Sequence, residues 1–186
     1  ISTDHLFGDK NIFHTEDDNV SLLNKYAETK YMGEKYIQSN CSQYLILRTN
    51  FFCMGYSKMS FADWIVDSIQ AQKSINLFDD VYFNPVHSFK IFELIDLLHQ
   101  CGALGTYNIA SHERLSKYDF AITLAQRLNL DTYHINPSSI SRFTELKTQR
   151  PKNMLLSNKK LISNVEIDLS IQSSIDTYLN EISEGI

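Results

Sequence analysis

The sequence NKYAETKYMGEKYIQSNCSQYLILR, residues 24–48, joins a predicted helix to a predicted strand and decides the fold class. Helix formers dominate residues 24–39, where side chains of one face recur at intervals of three and four residues. Residues 44–47 form a continuous apolar run, which is typical of a strand buried on both faces of a parallel sheet. A helix followed directly by such a strand indicates an α/β fold.

The alternation of helices and strands continues through the rest of the chain. Apolar stripes and short apolar runs predict helices over 61–72, 89–100, 117–128 and from about 170, and strands over 75–78, 106–110 and 131–135. Residues 7–23 are rich in Asp, Asn and Gly and predict a long surface loop. Residues 136–158 contain two prolines and show weak periodicity, so we predict that they are mostly loop.

The composition is that of a globular protein, because 186 residues with 43% hydrophobic content supply one substantial core or two small lobes. The net charge of −5 comes from residues scattered along the chain, which argues against nucleic acid as a partner. No apolar run approaches the roughly 20 residues that a membrane span requires, so we expect no membrane partner and a cytoplasmic location. The histidines and cysteines are dispersed, so no metal site is predicted.

The sharpest local feature is Tyr26-Ala27-Glu28-Thr29-Lys30, which puts a phenol and an ammonium one helical turn apart on the same face. A tyrosine has a reference pKa of about 10, and a neighbouring cation stabilises the phenolate, so the proton is more easily given and retaken. A general acid at a carbonyl oxygen needs this property. By itself, the spacing is equally that of an exposed pair of side chains on a helix.

Several motifs around this pair occur in a fixed order along the chain. They are Ser2-Thr3-Asp4 with Phe7, an acidic loop, Tyr26 to Lys30 with Gly33-Glu34, and Leu47-Arg48-Thr49. Further along lie Asn84-Pro85, Thr106-Tyr107-Asn108-Ile109, and Arg150-Pro151 with Asn153. On these motifs the chain resembles the extended short-chain dehydrogenase/reductases, and within them the dTDP-4-dehydrorhamnose reductase family, from Ile1 to about Leu179.

The resemblance implies an α/β fold in which the carboxyl-terminal part of a Rossmann-type NAD(P)-binding sheet is joined to a small α/β substrate-binding lobe. We expect residues 1–55 to belong to the cofactor domain and residues 56–186 mainly to the substrate lobe, with some segments returning to the sheet. The glycine-rich phosphate loop of this superfamily is absent from the sequence. We therefore expect that roughly the first half of the Rossmann domain is not in this chain and that the chain alone is inactive.

The same resemblance implies reduction of a 4-keto sugar nucleotide, with NADH or NADPH as cofactor. Tyr26 would donate the proton, Lys30 would hold the nicotinamide ribose, and the Thr3 hydroxyl would orient the substrate carbonyl. Tyr26, Lys30 and Asn50 are the predicted cofactor contacts. For Thr3 the alternative is a strand-end threonine that bonds only locally.

The predicted substrate contacts besides Thr3 are Phe51, Asn84 and Arg150, with a nucleotide sugar as the partner. Phe51 lies where such reductases often carry an aromatic ring against the sugar nucleotide, and core packing is its alternative. Arg150 could fork onto a diphosphate, or it could belong to a solvated basic loop. A homodimer also remains open.

Other functions of the same superfamily compete with the reductase. A sugar-nucleotide 4,6-dehydratase uses an Asp-Glu pair after the threonine, and the pair here is Asp4-His5, which argues against it. A 4-epimerase uses the same Tyr, Lys and Thr, so it remains open. A non-catalytic relative that binds and regulates a partner protein also remains open, because His5 stands where the family commonly has tyrosine.

Overall fold

The computed structural model describes residues 1–10, 12–143 and 148–184. The strands are β1 (Ser2–Thr3), β2 (Leu45–Thr49), β3 (Phe51–Phe52), β4 (Ile75–Phe78), β5 (Tyr82–Phe83), β6 (Val86–His87), β7 (Gly105–Ile109), β8 (Leu115–Ser116) and β9 (Ile135–Ser138). The helices are α1 (Lys25–Asn40), α2 (Phe61–Gln70), α3 (Ser88–Gln100), α4 (Lys117–Arg127), α5 (Lys159–Ile162) and α6 (Ile171–Glu184), with a 3-10 turn at Ile140–Arg142. Among these residues, no helix combines the length and apolar character that crossing a bilayer would need.

A parallel sheet in the order β1-β2-β7 forms the centre of the fold. Thr3 is in register with Thr49, and Leu47 is in register with Tyr107. The carboxyl ends of β1 and β2 therefore meet at one edge of the sheet, which is where open α/β sheets bind ligands. After a single residue, β3 continues from β2 and pairs in parallel with β6.

Helix α1 begins where the Asn24 side chain accepts a hydrogen bond from the Ala27 backbone N–H, at 2.9 Å. This contact satisfies one of the free N–H groups of the first turn. The buried face of α1 consists of Ala27 and Glu34, whereas Tyr26 is exposed and Lys30 is partly exposed. The face that carries Tyr26 and Lys30 is thus available to line a site.

A buried ion pair fastens α1 to the sheet. Arg48 Nε and Nη2 donate to the two carboxylate oxygens of Glu34, at 3.0 and 2.8 Å, and both side chains are almost fully buried. Arg48 Nη1 also donates to the Glu16 carbonyl at 3.1 Å. The fork-to-fork geometry suits arginine and carboxylate, and it fixes the orientation of α1 relative to β2.

One hydrophobic cluster lies at the central sheet, and a separate one lies among helices α2, α4 and α6. The cluster at the sheet is formed by β2 and β7 with side chains of α3 and α5, including Leu47, Leu94, Ile109 and Leu161. A larger cluster joins α2, α4 and α6 to β4 and β9, with Phe120 and Tyr178 fully buried. Strand β7 thus belongs to the central sheet, and helices α3 and α5 pack against it, although all three elements come late in the chain.

Hydrogen bonds to the Glu181 carboxylate connect helix α6 to the segment that follows β3 and to strand β6. Its carboxylate accepts hydrogen bonds from the Met54 backbone N–H at 2.8 Å, from the Tyr56 hydroxyl at 3.2 Å and from His87 Nε2 at 3.1 Å. His87 Nδ1 in turn accepts from the Phe89 backbone N–H, which fits the neutral ring. Burial lowers the pKa of His87 against the opposing effect of Glu181, which also favours the neutral ring.

Most predicted elements are confirmed to within two residues, and one strand is displaced. The strand predicted over 131–135 lies instead at Ile135–Ser138, so it extends into the stretch that was predicted to be mostly loop. It contains Pro137 and is paired only with β4, in a sheet of two strands. Proline is compatible with such an edge position because one side of the strand needs no ladder bonds. Of the predicted loop, residues 144–147 lie outside the described residues.

Candidate active site

Polar side chains gather where β1 and β2 end. Asp4 is buried, and it accepts hydrogen bonds from the Asn50 amide at 2.6 Å and from the Thr3 hydroxyl at 3.2 Å. The Thr3 oxygen also accepts from the His5 backbone N–H at 3.2 Å. The local bonding proposed as the alternative for Thr3 is therefore present in the structure. Burial raises the pKa of Asp4, while His5 and the hydrogen bond from Asn50 act against that increase.

A cavity of about 670 Å³, the first cavity, lies over this edge. Of the predicted catalytic and cofactor residues, it brings together Thr3, Tyr26, Lys30 and Asn50. Its apolar side is formed by α3, through Ile91, Phe92 and Ile95. Tyr26 is 52% exposed, and Lys30 Nζ donates to the Ile1 carbonyl at 3.3 Å. The first cavity thus contains a phenol, an ammonium, a hydroxyl and an amide beside an apolar wall.

His5 packs directly against the predicted proton donor. Its ring meets that of Tyr26 edge to face, with centroids 5.6 Å apart, and its Nε2 lies 3.9 Å from the Asp4 carboxylate. Burial lowers the pKa of His5, and Asp4 opposes that effect. In the sequence, His5 stands out only as a departure from the family pattern. Its position beside a candidate catalytic motif was the signal for a site residue.

A second cavity of about 550 Å³ adjoins the first and shares His5, Asn50 and Phe51 with it. Aromatic side chains dominate its lining, including Phe61, Trp64, Phe78, Phe83 and Phe120. Phe51 is 51% exposed, whereas its neighbour Phe52 is buried in the core cluster. Successive residues of a strand point to opposite faces, which explains the difference. The position of Phe51 suits contact with a flat ligand ring.

Two cationic side chains, Arg150 and Lys117, line the second cavity. Arg150 is exposed, in agreement with its predicted place in a polar loop. The Lys117 ammonium lies 3.2 Å from the centroid of the Phe83 ring. Burial lowers the pKa of Lys117 to about 7, with Asp4 acting against that effect. The sequence offered no signal for Lys117, because a lysine at the start of a helix is usually solvated.

Asn84, predicted to bind substrate, lines neither cavity and has a structural role instead. Its buried side-chain amide donates to the carbonyls of Ser111 and Leu156, at 2.9 and 2.8 Å. Its carbonyl oxygen accepts from the Leu156 backbone N–H at 3.0 Å. Both N–H groups and the carbonyl oxygen of this side chain thus join three chain segments. The prediction for Asn84 is corrected on this ground.

We expect Asn84→Ala to lower the free energy of unfolding by about 3 kcal/mol, because it leaves buried backbone groups of Ser111 and Leu156 unpaired. Denaturant unfolding of the two proteins measures the difference. The affinity of the folded variant for nucleotide sugars should equal that of the unmodified protein. A stable variant with weakened binding would restore Asn84 to the binding site.

The family described as RmlD substrate binding domain matches residues 1–184. This chain belongs to that family. The resemblance that the sequence motifs indicated is therefore confirmed.

The chain is similar in sequence to curated proteins of two kinds, a subunit of a methionine adenosyltransferase and a sugar-nucleotide reductase. Methionine adenosyltransferase 2 subunit beta of Rattus norvegicus is 30% identical over 169 residues, covering 87% of this chain and 50% of that protein. The dTDP-4-dehydrorhamnose reductase of Salmonella typhimurium is 26% identical over 186 residues, covering 90% of this chain and 59% of that protein. The chain thus spans about half the length of these curated relatives.

Solved structures share the fold of this family member. A crystal structure of dTDP-4-dehydrorhamnose reductase from Bacillus anthracis in complex with NADP superposes with a TM-score of 0.87 at 23% identity. The match covers 97% of this chain and 64% of that chain. The predicted α/β fold with a parallel, Rossmann-type sheet is confirmed.

Proposed function

We propose that the protein carrying this chain reduces the keto group of a 4-keto sugar nucleotide with NADH or NADPH. The observation that carries the proposal is the first cavity, in which Thr3, Tyr26, Lys30 and Asn50 surround one space at the carboxyl edge of the sheet. In this proposal, residues 1–55 supply the cofactor side of the site. Residues 56–186 supply mainly the substrate side.

The residues of the first cavity fit a nicotinamide cofactor. Lys30 and Asn50 carry donors suited to ribose hydroxyls, and the α3 side chains Ile91 and Phe92 offer an apolar surface to a ring. These residues, with Tyr26, would hold the nicotinamide end of the group. The chemistry that NADH or NADPH supplies when bound is hydride transfer. The related reductase from Bacillus anthracis was solved with NADP, which supports this class of cofactor.

In the proposed reaction, side chains of this chain donate the proton and stabilise the negative charge that develops on the carbonyl oxygen. As the ketone carbon is reduced, negative charge builds on the carbonyl oxygen, and the Tyr26 hydroxyl donates its proton there. The Lys30 ammonium stabilises the phenolate that remains. The Thr3 hydroxyl, which now bonds to Asp4, rotates to donate to the substrate oxygen. Thr3 is therefore a positioning group whose proton is shared between Asp4 and the ligand.

The second cavity is the proposed site of the nucleotide. Phe51 offers an aromatic face at the boundary of the two cavities, and Arg150 offers a guanidinium that can fork onto a diphosphate. A nucleotide sugar held in this way reaches the first cavity with its sugar ring. The shared boundary at His5, Asn50 and Phe51 supports this path.

The test is oxidation of NADH or NADPH by the full protein after addition of a 4-keto sugar nucleotide. We expect turnover that depends on both reactants. Interconversion of sugar epimers without net oxidation would instead support the 4-epimerase, because an epimerase regenerates its own cofactor. Absence of both reactions would contradict the proposal.

A second candidate is a regulatory subunit that keeps the fold and binds another protein. The observation that favours it is the 30% identity to methionine adenosyltransferase 2 subunit beta, which is named as a subunit of a different enzyme. A stable complex with a methionine adenosyltransferase, without nicotinamide oxidation or epimerisation, would support this candidate. Mixing the purified proteins and measuring their joint elution and nicotinamide oxidation distinguishes the two functions.

A further inference from the structure

Lys117 lines the second cavity, and within the described part of the chain its ammonium forms no salt bridge. It is the first residue of α4, and its ammonium lies over the rings of Phe83 and Phe61, at 3.2 and 5.2 Å from their centroids. Among the described residues, no acceptor forms a hydrogen bond with this ammonium. Aromatic faces stabilise a cation only partly, so the site favours an additional anion.

The charged groups that face Lys117 come from different elements. Asp4, after β1, attracts its charge, while Arg150, in the loop before Pro151, repels it. Lys117 in turn helps to lower the pKa of His5. The Asp4 carboxylate already accepts hydrogen bonds from Asn50 and Thr3.

Other carboxylates of this region are committed to other contacts. Asp119, on α4 itself, caps that helix through Ser116. Asp80 pairs with Lys152 at 3.1 Å and accepts from the Ile140 backbone N–H. The positive charge of Lys117 is therefore left facing the cavity.

We propose that Lys117 and Arg150 together bind the diphosphate of the nucleotide sugar, with Lys117 as the ligand that makes binding depend on pH. This inference rests on the proposed function, and it adds a residue to the same site. The diphosphate fits because two cations line one cavity whose remaining walls are largely aromatic. Phosphate oxygens would supply the acceptors that the described residues do not offer to Lys117.

The direction of the pH dependence follows from the buried amine. Burial lowers the pKa of Lys117 to about 7, so the free protein loses this positive charge as the pH rises above that value. The diphosphate of a nucleotide sugar is a diester that keeps its charge over this range, so the ligand itself does not titrate. The pKa of His5 is lowered from its usual value of 6.5, so that ring is neutral above pH 7. Affinity should thus fall between pH 7 and 9 because Lys117 deprotonates.

The experiment measures the dissociation constants of dTDP-glucose and UDP-glucose for the full protein between pH 6 and 9. At pH 6, Lys117→Met should weaken binding about tenfold, since it removes a charged contact of roughly 1.4 kcal/mol. Lys117→Arg should retain affinity and lose the pH dependence, because arginine does not deprotonate in this range. Lys73→Met, which removes an exposed lysine outside both cavities, should bind as the unmodified protein does.

Each contrary result has its own meaning. Unchanged affinity in a folded Lys117→Met variant, or a persisting pH dependence in Lys117→Arg, overturns the role of Lys117 and leaves the proposed function intact. Weaker binding of NADPH with unchanged binding of nucleotide sugars assigns Lys117 to the cofactor and also overturns the inference. If neither nucleotide sugar binds the unmodified protein, the inference and the proposed function both fail.

Discussion

Replacing Tyr26 by phenylalanine in the full protein should lower the rate of ketone reduction by about 100-fold or more. The variant keeps the aromatic ring and its edge-to-face contact with His5, but it removes the proton that would be given to the carbonyl oxygen. The affinity for NADH or NADPH should remain nearly unchanged, because Lys30 and the α3 wall are intact. Single-turnover rates and a separate cofactor titration measure the two effects.

The matched control for this variant lies on the same helix. Tyr36 is 69% exposed and lies outside both cavities, so Tyr36→Phe should retain the full rate. Full activity in Tyr26→Phe would remove Tyr26 from the role of proton donor. Equal losses of rate in the two variants would indicate that the substitutions damage helix α1, and not that Tyr26 donates the proton.

Replacing Arg48 by methionine should lower the free energy of unfolding by roughly 3–5 kcal/mol. The change removes the bidentate contact and leaves the Glu34 carboxylate buried without its partner. Removing one member of a buried pair costs more than the pair contributes, because the remaining charge cannot be solvated. Urea unfolding of the variant and the unmodified protein provides the measurement.

The double variant Arg48→Met with Glu34→Leu tests the cause. It removes both charges and should recover much of the lost stability. Lys25→Met, which breaks an exposed ion pair with Glu28 on the same helix, should leave stability almost unchanged. A small effect in the single Arg48 variant would mean that water reaches Glu34.

The features predicted well from the sequence are those that depend on neighbouring residues. Helix α4 is an example, because Ser116 and Asp119 form a capping box that a short sequence window already contains. The pairing of Tyr26 and Lys30 on one cavity likewise follows from helical spacing. These local signals were sufficient for most element positions, whereas Thr3 and Asn50 were expected in the site only because of the family resemblance.

The features that escaped prediction depend on which distant segments meet. Glu34 and Arg48 were both noted as parts of motifs, yet nothing in their spacing shows that they form one buried pair. Asn84 resembled a binding residue until its partners at Ser111 and Leu156 were known. Strand β9 was missed because its proline is tolerated only through the two-stranded pairing with β4. Tertiary contacts decide each of these cases.

The narrow boundary between the two cavities has an evolutionary consequence. Under the proposed function, the cavity for proton delivery and the cavity for the nucleotide share His5, Asn50 and Phe51 among the described residues, so mutations can accumulate in one cavity without disturbing the other. A lineage can therefore exchange its preferred base or sugar while its reactivity persists. Another lineage can lose turnover and still recognise its ligand, and such a protein is a ready starting point for sensing or scaffolding roles.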